Sequence, residues 1–171
     1  MTNEALSAEL RRLRSGSLEA LEAIFLDLRT PVFTVLLRLV RDRELAEDLT
    51  QEVFLRLWQS PPAEDVRSPR AWLFRVAHNL ALDALRRPGA EELPEQLPAK
   101  DFAEGVHARL DVEAAMASLS QRDREIVTLH LGAGLRFREI AAILELPLGT
   151  VLWRHSRAIS ALREKLDGGV L

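Results

Sequence analysis

PRAWLFRVAHNLALDALRR, residues 69–87, is the stretch whose reading decides the fold. Trp72, Leu73, Val76, Ala77, Leu80 and Ala84 recur at three- and four-residue steps, which predicts an amphipathic helix with one apolar stripe. Ser68 reads as its N-cap, Pro69 suits the first helical position, and Pro88-Gly89 is a stop. The other face is expected to carry Arg70, Arg75, His78, Asn79, Arg86 and Arg87 against a single acid, Asp83. Arginines headed by an aromatic, with amides between, suit a helix that holds phosphates and reaches unstacked bases. The same face also suits the solvated side of a helix in an ordinary bundle.

Composition narrows the choice. At 171 residues the chain is long enough for one domain or two small ones with a buried core. It has no cysteine, which excludes a disulfide framework, a thiolate nucleophile and a cysteine zinc site. The four histidines, 78, 107, 130 and 155, fall at no metal-ligand spacing, so no metal and no cofactor is expected. The polar start MTNEALSAEL has no apolar signal core and no long apolar run follows. Neither export nor membrane insertion is expected, and the cytoplasm is the default. No nucleophile–base pair or glycine-rich phosphate loop points to an enzyme.

The net charge of −3 hides a segregation. Residues 67–87 hold five arginines against Asp83, whereas residues 88–105 hold five acids against Lys100. Opposite signs in adjacent segments imply one surface for a polyanion and another for a basic partner.

Upstream, residues 3–14 predict a short charged helix broken at Ser15-Gly16-Ser17. Leu18, Leu21, Ile24, Phe25 and Leu28 predict a second, and Thr30-Pro31 is expected to open a third, PVFTVLLRLVRD, apolar nearly all round. Asp42 reads as the cap of the next, with Leu45, Leu49, Val53 (or Phe54) and Leu57 inward. Asp48, Gln51, Glu52, Leu55 and Trp58 then lie partly outward, and Ser60-Pro61-Pro62 ends the helix. Downstream, residues 88–109 contain three prolines and two glycines without a sustained period, and read as an extended acidic linker.

Helical period resumes at Leu110. Ser120 reads as the cap of a helix that buries Ile126, Val127, Leu129 and Leu131 and ends at Gly132 or Gly134. Phe137, Ile140, Ala141 and Leu144 make another; Glu145-Leu146 turns; Pro147 opens a last helix held by Val151, Ala158, Leu162 and Leu166. Two helices joined by so short a turn, behind a supporting helix, match the helix-turn-helix pattern. The expected fold is therefore all-α, with a helical bundle over 1–87, a linker over 88–109 and a helix-turn-helix domain over 110–171.

Three blocks together carry a family resemblance: AEDLTQEVFLRLW (46–58), SPRAWLFRVAHNLALDALRR (68–87) and LSQRDREIVTLHLGAGLRFREIAAILELPLGTVLWRHSRAISALREKL (119–166). In this order and spacing the chain resembles an extracytoplasmic-function (ECF) sigma factor of the sigma-70 family, a promoter-specificity subunit of bacterial RNA polymerase. The resemblance implies that Asp48, Gln51, Glu52, Leu55 and Trp58 dock on the clamp helices of the polymerase's largest subunit. It implies minus-ten recognition and melting by Arg67, Trp72, Arg75, His78, Asn79, Arg86 and Arg87. It assigns minus-thirty-five recognition to Arg136, Arg138, Thr150, Leu152, Trp153, Arg154 and Arg157, with the flap region as a further polymerase contact. The resemblance implies that the acidic linker is the segment that threads the basic active-site and RNA-exit channels; the composition alone equally suits a plain tether. The free protein is then expected to be a monomer with promoter DNA as its other partner.

The chain departs from the family pattern in places. Leu152-Trp153 stand where Lys-Ser is common, His155 where an apolar residue is frequent, Glu145 where the turn usually has Gly, and His78 where Arg is frequent. Leu152 can still meet a thymine methyl. Alternatively, Leu-Trp faces a protein such as an anti-sigma factor or an accessory recruiter. The competing function from another class is a dimeric helix-turn-helix regulator, which needs a two-fold interface and a palindromic site.

Overall fold

The computed structural model describes residues 1–87 and 106–167, with side chains described from residue 112 in the second stretch. The described residues form helices and turns without strands, in two compact units, one within residues 1–93 and one within 94–171.

The first unit contains α1 (Asn3–Arg14), α2 (Leu18–Val40), α3 (Arg43–Gln59) and α4 (Pro69–Arg86), with α2 packed against the other three. Each start is capped locally: Thr2, Ser17, Asp42 and Ser68 side chains accept the backbone N–H three residues on. Pro31 does not open a new helix, contrary to expectation, but lies inside α2. A mid-helix proline costs about 3 kcal/mol. Beyond it, Val32, Val35, Leu36, Leu39 and Val40 are buried in line with Ala20, Ile24 and Leu28. Burying side chains of that size contributes about 1.5–3 kcal/mol each, which outweighs the proline.

In α3 the inward set is Ala46, Thr50, Val53, Phe54 and Leu57, one position round from the predicted stripe, with Leu45 and Leu49 half-buried. Thr50 tolerates burial because its hydroxyl donates to the Ala46 carbonyl at 2.7 Å. Phe54 meets Phe25 of α2 edge-on at 4.9 Å.

The second unit contains α5 (Val106–Ala117), α6 (Gln121–Val127), a π-turn (Thr128–Gly132), α7 (Phe137–Leu144) and α8 (Leu148–Asp167). α5 begins four residues before Leu110, where helical period is expected to resume, since VHARLDVEAAMA contains no proline or glycine to interrupt it. The remaining linker residues, 88–105, and with them Pro88-Gly89, lie outside the described residues. Met116, Leu119, Val127 and Ala158 form a core against which Ile159 and Leu162 are partly buried. The Arg124 guanidinium closes the end of α5, donating to the carbonyls of Met116, Ala117 and Leu119 at 2.9–3.0 Å.

Leu131 is 64% exposed, not buried as predicted, because the wide π-turn rotates it off the face that Leu129 shares with the core. Leu166 is likewise exposed near the end of α8, which Val151 and Ala158 hold instead. Pro147 stands just before α8, its carbonyl accepting from the Val151 N–H at 3.1 Å. α7 ends on Glu145 in the left-handed conformation, φ 54° and ψ 43°. The Leu146 N–H returns to the Ala141 carbonyl at 3.0 Å, the long bond of a Schellman motif.

Candidate nucleic-acid interface

On α3, Asp48, Gln51, Leu55 and Trp58 follow one another at three- and four-residue steps and are exposed on the side away from the core. Leu55 is 49% and Trp58 39% accessible, a large apolar pair flanked by an acid and an amide. Glu52 is half-buried and accepts from Arg56 Nε at 2.8 Å, so part of its charge is balanced within the helix.

α4 presents Arg75, Asn79 and Arg86 along one exposed stripe, with Trp72 half-buried at its head and Arg67 and Arg87 exposed at either end. His78 departs from the expected set. It is 2% exposed, between Phe74 and Ala81 in the buried face, and does not reach the arginine surface. Its spacing of four from Phe74 and three from Ala81 was the available signal, outweighed by the neighbouring polar Asn79. Arg70 also turns aside, its guanidinium 5.5 Å over the Phe74 ring.

The loop entering α4 is held by a residue that the sequence did not single out. Arg14 donates from Nε to the Pro62 carbonyl at 3.1 Å and also from Nη2, and its other nitrogen lies 3.8 Å from Glu64. The end of α1 therefore fixes the approach to the arginine stripe.

In the second unit α8 exposes Leu152 and Trp153, the latter 57% accessible. Thr150 is half-buried in its first turn, and Arg136 and Arg138 are exposed at the start of α7. The Glu139 carboxylate accepts the Arg136 N–H at 2.8 Å. Arg154 and Arg157 both reach back to Asp123 of α6, at 2.9 and 2.8 Å, and Arg157 also lies 4.7 Å over the Trp153 ring. Asp123 is the functional candidate that sequence reading missed. Ser120 three residues before it marks a helix start, but nothing local links it to arginines more than thirty positions away.

Burial pushes the Asp123 carboxyl up. Hydrogen bonds from Arg157, Ser120 and Arg154 and the charge of Arg157 outweigh burial and hold it below its ordinary value.

His155 packs in the turn as one of three clustered rings. His130 and Phe137 lie 4.2 Å apart, and His155 meets them edge-on at 4.9 and 4.8 Å. His130 Nδ1 donates to the Leu135 carbonyl at 2.9 Å, since a carbonyl can only accept. Burial, with the charge of His130 adding to it, holds the His155 pKa below the ordinary imidazole value. The neutral ring thus packs against the other two as an apolar side chain would.

Among the described residues no three His, Asp or Glu side chains stand together as a metal site, and no helix is long and apolar enough to cross a membrane.

Family comparison matches residues 24–90 to Sigma-70 region 2 and residues 115–164 to Sigma-70, region 4. The chain is 29% identical to the ECF RNA polymerase sigma factor SigK of Mycobacterium ulcerans, over 96% of this chain and 95% of that one. It is 34% identical to the ECF RNA polymerase sigma factor SigL of Mycobacterium tuberculosis, over 77% and 80% of the two chains. Among solved structures it resembles the sigma factor RpoE of Bartonella quintana, crystallised with the anti-sigma factor NepR. The TM-score is 0.72 and the identity 25%, over 85% of this chain and 96% of that one.

Proposed function

The chain belongs to the ECF RNA polymerase sigma factors, alternative sigma factors that direct promoter-specific transcription, and from that premise we propose how its surfaces divide the work. Core RNA polymerase and promoter DNA are its partners, and it acts with the polymerase in the cytoplasm as a specificity subunit without catalysis of its own. The exposed strip Asp48, Gln51, Leu55 and Trp58, with Glu52 beside it, grips the clamp helices of the largest subunit. An apolar pair rimmed by acid and amide fits a basic coiled coil.

The α4 stripe carries the reading of opened DNA: Arg75 and Arg86, with Arg67 and Arg87 at its ends, hold the single-stranded backbone. Trp72 and Asn79 meet unstacked bases beside them. The observation on which this rests is the alignment of Trp72, Arg75, Asn79 and Arg86 along one side of a capped helix. In the second unit α8 enters the major groove at the minus-thirty-five element, with Arg136, Arg138, Thr150, Arg154 and Arg157 toward phosphates. The second unit also meets the flap region, and the free protein is a monomer.

Run-off transcription with core polymerase, on DNA upstream of this protein's own gene and of neighbouring operons, tests the reading. Wild-type protein should give discrete start sites. Gln51→Ala with Trp58→Ala should abolish holoenzyme formation while helical circular dichroism is retained. A double variant that still joins the polymerase would displace the docking surface from α3.

The exposed Leu152-Trp153 pair favours a second reading for α8, in which it meets an anti-sigma factor or a recruiter rather than bases. Footprinting with Leu152→Lys and Trp153→Ser separates the two. Loss of protection at the upstream element identifies a DNA contact, and unchanged protection identifies a protein one.

A further inference from the structure

One buried charge in the second unit is not absorbed by any of these surfaces. Asp123, in the first turn of α6, is 3% exposed, yet both of its carboxylate oxygens are engaged by the next-but-one helix. Oδ1 accepts from Arg154 Nη1 at 2.9 Å and Oδ2 from Arg157 Nη2 at 2.8 Å. A guanidinium has five N–H donors, so one bond to Asp123 leaves each arginine four for other acceptors. Arg157 is 54% exposed on its side chain and Arg154 less so, which places the carboxylate beneath the forks and not between them and solvent. The Trp153 ring is drawn into the same set by the Arg157 guanidinium 4.7 Å above it. Three side chains of α8, on about one helical turn, are thus tied to one anchor on its supporting helix.

A free arginine on a surface helix samples many rotamers and loses them when it meets a phosphate. Here much of that ordering precedes DNA. We propose that Asp123 is a positioning residue for duplex recognition: from α6 it fixes the guanidinium groups of Arg154 and Arg157, and through Arg157 the Trp153 ring, in the orientation in which α8 meets the DNA backbone. The inference rests on the reading of Arg154 and Arg157 as phosphate contacts. The opposite role, a mask that neutralises the two arginines, would require the carboxylate to swing away on binding. The carboxylate is instead held in place, with Ser120 and two guanidinium groups bonded to it and little of its surface exposed. Its depressed pKa means that the anchor stays ionised throughout the neutral range.

The test uses holoenzyme made with the full-length protein and a promoter found by run-off transcription, with affinity measured across a salt series. Asp123→Asn, checked by circular dichroism to be folded at the assay temperature, should bind about tenfold more weakly. The slope of log affinity against log salt should become shallower by about one unit. In an Arg154→Ala, Arg157→Ala background the same Asn substitution should have no further effect, because the carboxylate acts only through those side chains. Equal or tighter binding by Asp123→Asn, with an unchanged or steeper slope, would overturn the proposal in favour of a mask. An undiminished loss in the double-alanine background would overturn it in favour of a purely structural role. Should Asp123→Asn not fold, Arg154→Lys with Arg157→Lys keeps both charges but not the forks held by Asp123. Weaker binding then supports positioning and wild-type binding overturns it. The underlying reading fails separately, if the double-alanine variant itself keeps wild-type affinity and salt slope.

Discussion

Asn3 and Ser68, sixty-five residues apart, meet where α1 and α4 begin: Asn3 Nδ2 donates to Ser68 Oγ at 3.4 Å. That hydroxyl also accepts the Ala71 N–H at 3.2 Å, and the Arg70 N–H donates to Asn3 Oδ1 at 3.2 Å. One cluster therefore caps the arginine helix and locks it to the start of the chain. Ser68→Ala should destabilise the first unit by about 1 kcal/mol. Urea denaturation followed by circular dichroism would show the lowered midpoint. An unchanged midpoint would mean that solvent satisfies those N–H groups equally well.

The end of α7 offers a test with the opposite sign. Glu145 occupies the left-handed region at φ 54°, where a side chain costs on the order of 1 kcal/mol and glycine costs little. Glycine also gives the unfolded chain more freedom, which offsets part of the gain. Glu145→Gly should therefore stabilise the second unit by about 0.5 kcal/mol, and Glu145→Val should destabilise it by more than 1 kcal/mol. Both are read from thermal midpoints.

His155 predicts a pH dependence. Its folded pKa is lowered from the ordinary 6.5, so between the two values the unfolded chain takes up a proton that the folded chain refuses. Stability contributed by the neutral ring is complete above 6.5 and declines as pH falls from there toward the folded value. Denaturation midpoints from pH 7.5 to 5 should fall in wild type and flatten in His155→Phe. Asp123 does not confuse the comparison. Its contribution is present above its ordinary 3.8 and is lost only at lower pH, as the folded carboxyl is protonated.

The α4 stripe predicts a change in salt response. Arg75→Ala with Arg86→Ala removes two exposed cations while leaving Leu73, Phe74, Ala77 and Leu80 in the core. Holoenzyme binding to a promoter with a pre-opened bubble should weaken, and its salt slope should become shallower by about 1.4 units, since each single-strand phosphate contact contributes about 0.7. Binding to closed duplex upstream DNA should change little.

Much of this protein was legible as text because helices are local objects. A cap acts on an N–H three residues away, so Ser68, Asp42 and Ser120 marked their helices correctly. Helical spacing places Arg75, Asn79 and Arg86 on one side of α4 before any fold is known. The paired helices and short turn of α7 and α8 followed for the same reason.

What lay beyond the sequence depended on which neighbour occupies which side. Pro31 could stay inside α2 because the buried faces on either side of it continue one another against α1, α3 and α4. His78 went inward because position 78 lies between the buried Phe74 and Ala81, though the residue type suggested otherwise. The anchoring of Arg154 and Arg157 on Asp123 needed α6 and α8 to be packed together. Backbone hydrogen bonding over three or four residues is written in the local order of side chains, whereas burial and ion pairing between distant positions exist only once the helices have met.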